Sequence, residues 1–173
     1  MTPTPAGPQA SPNHNAIWAP WRIDYVVQPK TDGCFLCDAI AAGGDDPGSL
    51  VLERRPRCFS ILNRFPYNNG HTLVAPNDHK AQLTDLDDDE LAELMRLTRD
   101  TQALLSATIG PHGFNIGLNL GVCAGAGVPG HLHVHVVPRW NGDTNFMPVT
   151  AGTKVIVQSL EALHQVLRQH LGR

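Results

Sequence analysis

The sequence predicts an α+β domain, in which an antiparallel sheet of about five strands is accompanied by two main helices. Short apolar segments bounded by turn residues follow one another between residues 50 and 76. No helical segment separates them, which favours antiparallel hairpin connections over parallel crossovers. Two longer segments nearer the carboxyl terminus carry apolar residues at helical spacing.

Composition limits the classes of function. The chain has 173 residues, enough for one domain with a sizeable core. Its formal net charge of -3 argues against general affinity for nucleic acid or for an anionic membrane. No apolar run approaches about 18 residues, and the amino-terminal region contains no hydrophobic signal segment. We expect a cytoplasmic protein with a disordered arm over residues 1–15 and a single domain over residues 16–173.

The first three strands are predicted at Leu50–Arg54, Arg57–Leu62 and His71–Pro76, with Pro56 and the turn "FPYNNG" as their breaks. Before them, a short extended segment carries two tryptophans, Trp18 and Trp21. For this segment two interpretations stay open. It packs aromatic rings on the core as a surface strap, or it contributes to a subunit interface or ligand pocket.

The first main helix is predicted to begin near Thr84 and Asp87, to carry an apolar stripe from Leu91 to Leu105, and to end near Gly110. The acidic residues at its start favour the helix dipole, and we assign them no catalytic role. The last helix is marked by apolar residues at Ile156, Leu160, Leu163, Leu167 and Leu171. Both helices are expected to cover one face of the sheet and to leave the other for substrate.

A fourth strand is predicted at Gly113–Gly121 and a fifth in "HLHVHVVPRW", where His131, His133 and His135 alternate with aliphatic residues. In an extended strand this period of two places the imidazoles on one face and the aliphatic side chains on the other. One metal ion cannot bind all three, because the outer two lie roughly 13 Å apart along the strand. The remaining interpretations make one histidine structural and let the others face a substrate as nucleophile or as acid and base.

Two further motifs are candidates for binding. "GVCAGAGVPG", residues 121–130, has four glycines in ten residues. It is either a flexible hairpin loop or a loop whose backbone N–H groups approach a phosphate. "CFLC", with Cys34 and Cys37, indicates a metal-binding or redox-active pair in a cytoplasmic chain rather than a structural disulfide.

The glycine loop leading directly into "HLHVHVV" resembles the signature of the histidine triad (HIT) superfamily. The resemblance extends to "LNRFPYNNGHTLVAP" and "HVVPRWNGDTNFMPV", and with "WAPWR" and "CFLC" it covers roughly residues 17–170. The chain is most similar to the branch of diadenosine tetraphosphate phosphorylases and related dinucleoside polyphosphate hydrolases. This resemblance implies the HIT fold, in which a homodimer or higher homo-oligomer joins its sheets into a larger one.

The resemblance also implies catalytic roles for the three histidines. His133 corresponds to the nucleophile that attacks the α-phosphorus and forms a covalent nucleotidyl-imidazole. His135 corresponds to the histidine that hydrogen-bonds the scissile phosphate and the leaving oxygen. His131 corresponds to the first histidine, which orients the site from behind.

Nucleotide-binding positions carry over in the same way. Asn63 corresponds to a residue at the ribose hydroxyls, Asn119 to one at the phosphate or leaving group, His71 to a histidine near the site, and Trp140 to a nucleotide contact. One motif departs from the family, since many relatives have Gly-Gln-Ser/Thr-Val before the triad where this chain has "AGVP". Phosphate binding there is left to the backbone amides of Gly125, Ala126 and Gly127.

The resemblance implies one cofactor, zinc. Several relatives bind it through Cys-x-x-Cys, a histidine three residues after a proline, and the first triad histidine. The corresponding residues here are Cys34, Cys37, His79 and His131. Such a closed Cys2His2 set is typical of a structural ion.

The activity implied is nucleotidyl transfer on an adenine dinucleoside polyphosphate, namely phosphorolysis of diadenosine tetraphosphate to ATP and ADP with inorganic phosphate as second acceptor. Two alternatives stay open. The first is hydrolysis of dinucleoside polyphosphates or nucleoside phosphoramidates, and the second is a nucleotide-binding regulatory module without turnover. A purely structural zinc protein would not explain why two histidines remain beside the glycine loop.

Overall fold

Five strands and three α-helices make up the part of the chain that the computed structural model describes, residues 33–43, 47–143 and 156–172. The predicted arm and the Trp18/Trp21 segment lie outside these residues, and the predicted division at residue 16 stays a prediction. The strands are Val51–Arg54 (β1), Cys58–Leu62 (β2), Thr72–Pro76 (β3), Gly113–Leu118 (β4) and Val134–Arg139 (β5). The helices are Phe35–Ala41 (α1), Asp88–Ile109 (α2) and Leu160–His170 (α3).

The strands form one antiparallel sheet in the order β1-β2-β3-β5-β4. The first three make the predicted meander, whereas β5 lies between β3 and β4. His135 therefore has a strand on each side, paired with Leu73 of β3 and with Gly117 of β4. This central place fixes the position of His135 more firmly than an edge strand would.

The predicted fifth strand is too long at its start, because β5 begins at Val134 and leaves His131 and His133 before it. The pairing of β5 with both of its neighbours ends at Val134, which lies opposite Val74 of β3 and Leu118 of β4. Leu132 instead donates its N–H to the carbonyl of Lys80 over 2.6 Å. The predicted fourth strand is likewise too long at its end and stops at Leu118.

Helix α2 begins later than predicted, because Asp87 is its N-cap and Thr84 lies in a preceding 3-10 turn. The Asp87 carboxylate accepts from the N–H of Glu90 over 2.8 Å, and Glu90 accepts from the N–H of Asp87 over 2.8 Å. This reciprocal pair satisfies two N–H groups that would otherwise lack partners. Glu90 also binds the Lys80 ammonium over 2.6 Å, which ties the helix start to the chain beside His79.

Helix α2 packs across β2, β3 and β5, and α3 packs beside α2 and against β1. The core between these elements is mainly aliphatic. It contains, among others, Phe59, Leu62, Val74, Leu94, Leu97, Leu105, Leu163 and Leu167. None of the described helices is both long and apolar enough to cross a bilayer.

The short helix α1 was not predicted, although it begins within the Cys-x-x-Cys motif, with Cys34 as its N-cap. Leu36 is its one fully buried side chain. Arg54 of β1 donates to the carbonyls of Ala39 and Ile40 over 2.7 and 3.3 Å. The helix end is thus attached to the first strand of the sheet by the guanidinium group of a distant residue.

The two edges of the sheet differ. At β1, His164 of α3 donates to the carbonyl of Val51 over 2.8 Å, and Arg168 donates to that of Leu52 over 3.1 Å. At β4, the side chains of Asn115 and Ile116 are exposed, and no described helix packs on the outer edge. Unpaired edge groups of this kind can hydrogen-bond another strand.

Gly70 provides a test of the packing between α2 and the sheet. Its φ is +75°, and a Cβ there would lie 2.7 Å from Ile109 Cδ1 and 3.1 Å from Pro138 Cγ. We predict that Gly70→Ala lowers the free energy of unfolding by about 2–4 kcal/mol, because strain and overpacking add. The matched control is Gly110→Ala, where φ is +56° but nothing lies within 4 Å, and about 1 kcal/mol is expected. Urea unfolding measures both losses, and equal losses would contradict the packing argument.

Candidate active site and metal centre

The three triad histidines fall into two groups, with His131 facing the cysteines and His133 and His135 facing each other. His131 and His133 are buried in the segment that leads into β5, and His135 is half-buried within that strand. The rings of His133 and His135 meet edge to face, with centroids 4.9 Å apart. The ring of His131 instead lies against two cysteines.

His133 has a hydrogen-bond partner at one ring nitrogen, and the other has none among the residues that the structure describes. Its Nδ1 lies 2.8 Å from the carbonyl oxygen of His131. A carbonyl only accepts, so Nδ1 carries the hydrogen and Nε2 keeps its lone pair. Burial lowers the pKa of His133, which keeps the ring neutral near pH 7. A neutral imidazole with an unprotonated nitrogen can act as a nucleophile.

His135 is surrounded by polar and aromatic groups. Burial, and secondarily the charge of His133, lowers the pKa of His135 to about 4. Its Nδ1 lies 2.9 Å from His71 Nε2, and its Nε2 lies 3.4 Å from the amide of Asn119. The ring of Tyr67 stacks on it at a centroid distance of 5.7 Å. His135 is therefore a neutral hydrogen-bonding group at neutral pH.

A group of four potential metal ligands lies behind His133. The ligand atoms of Cys34, Cys37, His79 and His131 all lie within 4.8 Å of one another. His131 Nε2 donates to the carbonyl of Pro76 over 2.9 Å, which leaves the lone pair on Nδ1, facing the thiols. Sulfur to nitrogen distances of 3.3 to 3.4 Å are close to the value of about 3.5 Å between ligands of a tetrahedral zinc ion.

The surroundings of the four residues also fit a cation. Burial, with the hydrogen bond and charge of Cys34, raises the pKa of the Cys37 thiol, so a thiolate at Cys37 is disfavoured unless a cation compensates it. A Cβ at Gly130 would lie 2.9 Å from His79 Nε2, so the absence of a side chain there makes room for this ring. The structure thus brings together the four residues that were predicted as ligands.

An open cleft with a volume of about 240 Å³ lies beside His135. Its lining combines the polar Asn119 and His135 with apolar groups from Tyr67, Ile116, Leu118 and Val137. Tyr67, Ile116 and Leu118 were not among the predicted site residues. The aromatic residue in the turn "FPYNNG" was the available signal for Tyr67, and the apolar residues of an exposed strand were the signal for the other two.

Comparison with known proteins places this arrangement in a family. The HIT domain family model matches residues 46–142. The chain is also 38% identical over 164 residues to AP-4-A phosphorylase of Mycobacterium tuberculosis. This aligned region covers 91% of this chain and 84% of that relative. The chain belongs to the HIT domain family.

Two further proteins resemble this HIT protein. An asymmetrical bis(5'-nucleosyl)-tetraphosphatase of Schizosaccharomyces pombe is 36% identical over 96 residues, which covers 56% of this chain and 52% of the relative. The crystal structure of a Zn-bound histidine triad family protein from Mycobacterium smegmatis is 26% identical, with a TM-score of 0.64, over 81% of this chain and 94% of that chain. The predicted superfamily and α+β fold are confirmed.

Asn63 and His71, two of the predicted nucleotide-binding residues of this HIT protein, are bonded to each other. Asn63 Nδ2 lies 3.2 Å from His71 Nδ1, and Asn63 Oδ1 accepts from the N–H of Phe65 over 2.9 Å. Both polar atoms of this amide therefore already support the turn before β3. The structure brings His71 and Asn119 to His135, whereas Asn63 reaches His135 only through His71.

The glycine loop offers fewer amides than expected. Gly125 and Ala126 donate their N–H groups within the loop, to the carbonyls of Val122 over 3.0 Å and Gly121 over 3.3 Å. The N–H of Gly127 has no such partner among the described residues. Of the three amides predicted to bind phosphate, that of Gly127 is therefore the one already available.

Trp140 lies away from the histidines of its own chain. It follows the last residue of β5, five positions after His135, or roughly 16 Å along an extended strand. Its indole Nε1 donates to the carbonyl of Gly110 over 3.2 Å. The predicted nucleotide contact of Trp140 is therefore not assembled within the described part of one chain.

Proposed function

We propose that this HIT protein is an enzyme that transfers a nucleotidyl group from a dinucleoside polyphosphate, with diadenosine tetraphosphate as its substrate. The observation that carries the proposal is the neutral His133 ring, whose Nδ1 hydrogen is held by the His131 carbonyl. This leaves Nε2 to attack phosphorus. Similarity to AP-4-A phosphorylase over 91% of the chain supports the choice of substrate.

In the first step, the lone pair of His133 Nε2 forms a bond to the α-phosphorus while the bond from phosphorus to the bridging oxygen breaks. ATP departs and an adenylyl group stays on the histidine. The ring does not need to lose a proton before attack, because burial keeps it neutral. His135 is placed to donate a hydrogen bond to the departing oxygen, since its ring meets that of His133 at 4.9 Å.

In the second step, an oxygen of inorganic phosphate attacks the same phosphorus, the nitrogen to phosphorus bond breaks, and ADP is released. Water in place of phosphate would give AMP. We favour phosphate because the M. tuberculosis relative is named a phosphorylase, and because the loop lacks the usual glutamine and hydroxyl and keeps a backbone donor at Gly127. Hydrolysis of dinucleoside polyphosphates or nucleoside phosphoramidates is the alternative.

We also propose that Cys34, Cys37, His79 and His131 hold a structural zinc ion. Four protein ligands leave no position for water or substrate, so the ion would stabilise the fold and hold the backbone of His131. The M. smegmatis histidine triad protein, which shares this fold, is zinc-bound in its crystal structure, and this supports the choice of metal.

The exposed edge of β4 supports a proposed homodimer in which two β4 strands pair and the sheets become continuous. Strand β1 is excluded from this role because α3 already bonds its carbonyls. Such pairing would place a second chain beside the cleft that β4 lines. The cytoplasmic location remains a prediction.

Replacement of His133 tests the nucleophile. We predict that His133→Ala lowers kcat for diadenosine tetraphosphate by more than about 1000-fold, because the attacking atom is lost. Nucleotide binding, measured by calorimetry, should be nearly unchanged. His112→Ala, at an exposed histidine outside the site, is the control. Retention of about a tenth of the activity would show that His133 is not the nucleophile. A single burst of nucleotide without turnover in the unaltered protein would indicate a regulatory module.

Metal analysis tests the Cys2His2 site. We predict one zinc ion per chain in freshly purified protein, and loss of most of it in Cys37→Ser. Chelation should lower the melting temperature by about 5 °C or more before it affects the chemical step, because the ion closes a tertiary contact. Cys123→Ser changes an exposed cysteine outside the group and should keep the metal. Protein without metal would remove this proposal and return His131 to a hydrogen-bonding role.

The products identify the second acceptor. With diadenosine tetraphosphate and millimolar phosphate, we predict ATP and ADP in equal amounts and consumption of phosphate. Without phosphate, the adenylyl group should stay on His133 or be released slowly as AMP. Chromatography with and without phosphate separates these results. AMP formed at the same rate with and without phosphate would show that the reaction is hydrolysis and not phosphorolysis. The proposed role of His133 would be unaffected.

A further inference from the structure

A line of hydrogen bonds runs from a backbone amide in the turn before β3 to the ring of His135. The N–H of Tyr67 donates to His71 Nδ1 over 3.0 Å, and His71 Nε2 lies 2.9 Å from His135 Nδ1. His71 is only 1% exposed and takes no part in the two steps of the proposed transfer reaction.

The position of the hydrogen on His71 follows from its partners. A backbone N–H always donates, so Nδ1 of His71 must be the acceptor for Tyr67. The amide nitrogen of Asn63, 3.2 Å away, reinforces this as a second donor. A neutral imidazole carries one hydrogen, which must then be on Nε2. His71 is therefore a donor toward His135.

The same reasoning fixes His135. Its Nδ1 accepts from His71, and the ring is neutral near pH 7 because its pKa lies at about 4. Its single hydrogen is therefore on Nε2, the nitrogen that faces Asn119 at 3.4 Å. The atom of Asn119 at this distance is Nδ2, which cannot donate to a nitrogen that carries its own hydrogen. Because amide oxygen and nitrogen are nearly equal in shape, the Nε2–H tautomer requires this amide to be turned by 180°, so that Oδ1 accepts the hydrogen. A substrate oxygen at this place can accept it instead.

We propose that His71 is a positioning residue, which the Tyr67 amide orients as a donor and which in turn holds His135 as the Nε2–H tautomer, ready to donate to the leaving oxygen. The inference rests on the proposed transfer reaction. It gives His71 a role different from nucleotide contact, because both of its ring nitrogens already have protein partners.

The surroundings of His71 are built to hold this orientation. The turn is closed by the N–H of Asn63, which donates to the carbonyl of His71 over 2.9 Å, and by the N–H of His71, which donates to that of Asn68 over 3.1 Å. The Tyr67 ring lies against both histidine rings, at centroid distances of 4.6 and 5.7 Å. Rotation of either ring would break these contacts together.

Nitrogen NMR tests the tautomers without any substrate. In ¹⁵N-labelled protein at pH 7, long-range proton–nitrogen correlations distinguish protonated from unprotonated ring nitrogens. We expect both His71 and His135 to carry hydrogen on Nε2, with assignments checked in His71→Gln and His135→Asn. A hydrogen on Nδ1 of His135 in the unaltered protein would overturn the proposal.

Kinetics test whether His71 acts through His135. His71→Leu, which cannot donate, should lower kcat for diadenosine tetraphosphate by about 10- to 100-fold with KM nearly unchanged. His71→Gln places an amide donor near the former Nε2 and should recover most of that loss. In a His135→Asn background, His71→Leu should have no further effect. An equal loss in both backgrounds would overturn the proposal.

A matched control separates positioning from general stability. His164 is also a buried histidine with a backbone hydrogen bond, and it lies in α3, outside the site. His164→Leu should lower the melting temperature and leave kcat unchanged, and a loss of kcat equal to that of His71→Leu would also count against positioning. If the unaltered protein does not turn over diadenosine tetraphosphate, the proposed function fails, whereas the NMR result still decides the tautomer.

Discussion

Three contacts of His131 are the interactions on which the site depends. Its Nε2 donates to Pro76 at the end of β3, its Nδ1 faces the thiols of Cys34 and Cys37 at the start of α1, and its carbonyl accepts from His133. One residue thereby connects the sheet, the Cys-x-x-Cys helix and the proposed nucleophile. Because the backbone carbonyl makes the third bond, a change that shifts the ring also shifts the acceptor that sets the hydrogen of His133. A zinc ion at Nδ1 would hold both in place.

The sheet order explains how the two remaining histidines work as a pair. His135 is fixed between β3 and β4, and His133 lies just before the ladder begins. The aliphatic residues that alternate with the histidines, Leu132, Val134 and Val136, are buried in the core. Burial thus positions the imidazoles and also lowers the pKa values of both rings. The same constraint therefore provides geometry and protonation state.

Local patterns explain what the sequence could predict. The strands, α2 and the alternation of the histidines are periodic over several residues, so their existence was predictable, although their ends were not. Strand β5 starts late because its pairing with Val74 of β3 and Leu118 of β4 ends at Val134, and these are pairings between distant segments. Helix α1 has one fully buried residue, Leu36, and depends on Arg54 for its attachment, so its own seven residues give little signal. The roles of Tyr67 and His71 likewise depend on the neighbouring β5.

The grouping of the four proposed metal ligands was predictable for a different reason. Spacing alone left the cysteine pair open between metal and redox chemistry, and only the family resemblance linked it to His79 and His131. The structure adds the physical link, since Lys80 follows His79 and accepts from Leu132, which follows His131. This backbone hydrogen bond, between the residues that follow the two histidines, brings both imidazoles to the thiols. The ion pair of Lys80 with Glu90 attaches this arrangement to α2.

Neutral buried histidines also link the chemistry of the site to its stability. The pKa of His135 is about 4 in the folded protein, against 6.5 for an unperturbed histidine. Below the higher value the unfolded chain binds a proton that the folded site refuses, so the free energy of unfolding decreases as the pH falls from 6.5 toward 4. Above pH 6.5 the His135 ring is neutral in both the folded and the unfolded chain, so its burial does not lower the free energy of unfolding through proton binding. The arrangement that keeps His135 a neutral donor is therefore compatible with stability at neutral pH, where the transfer reaction needs it.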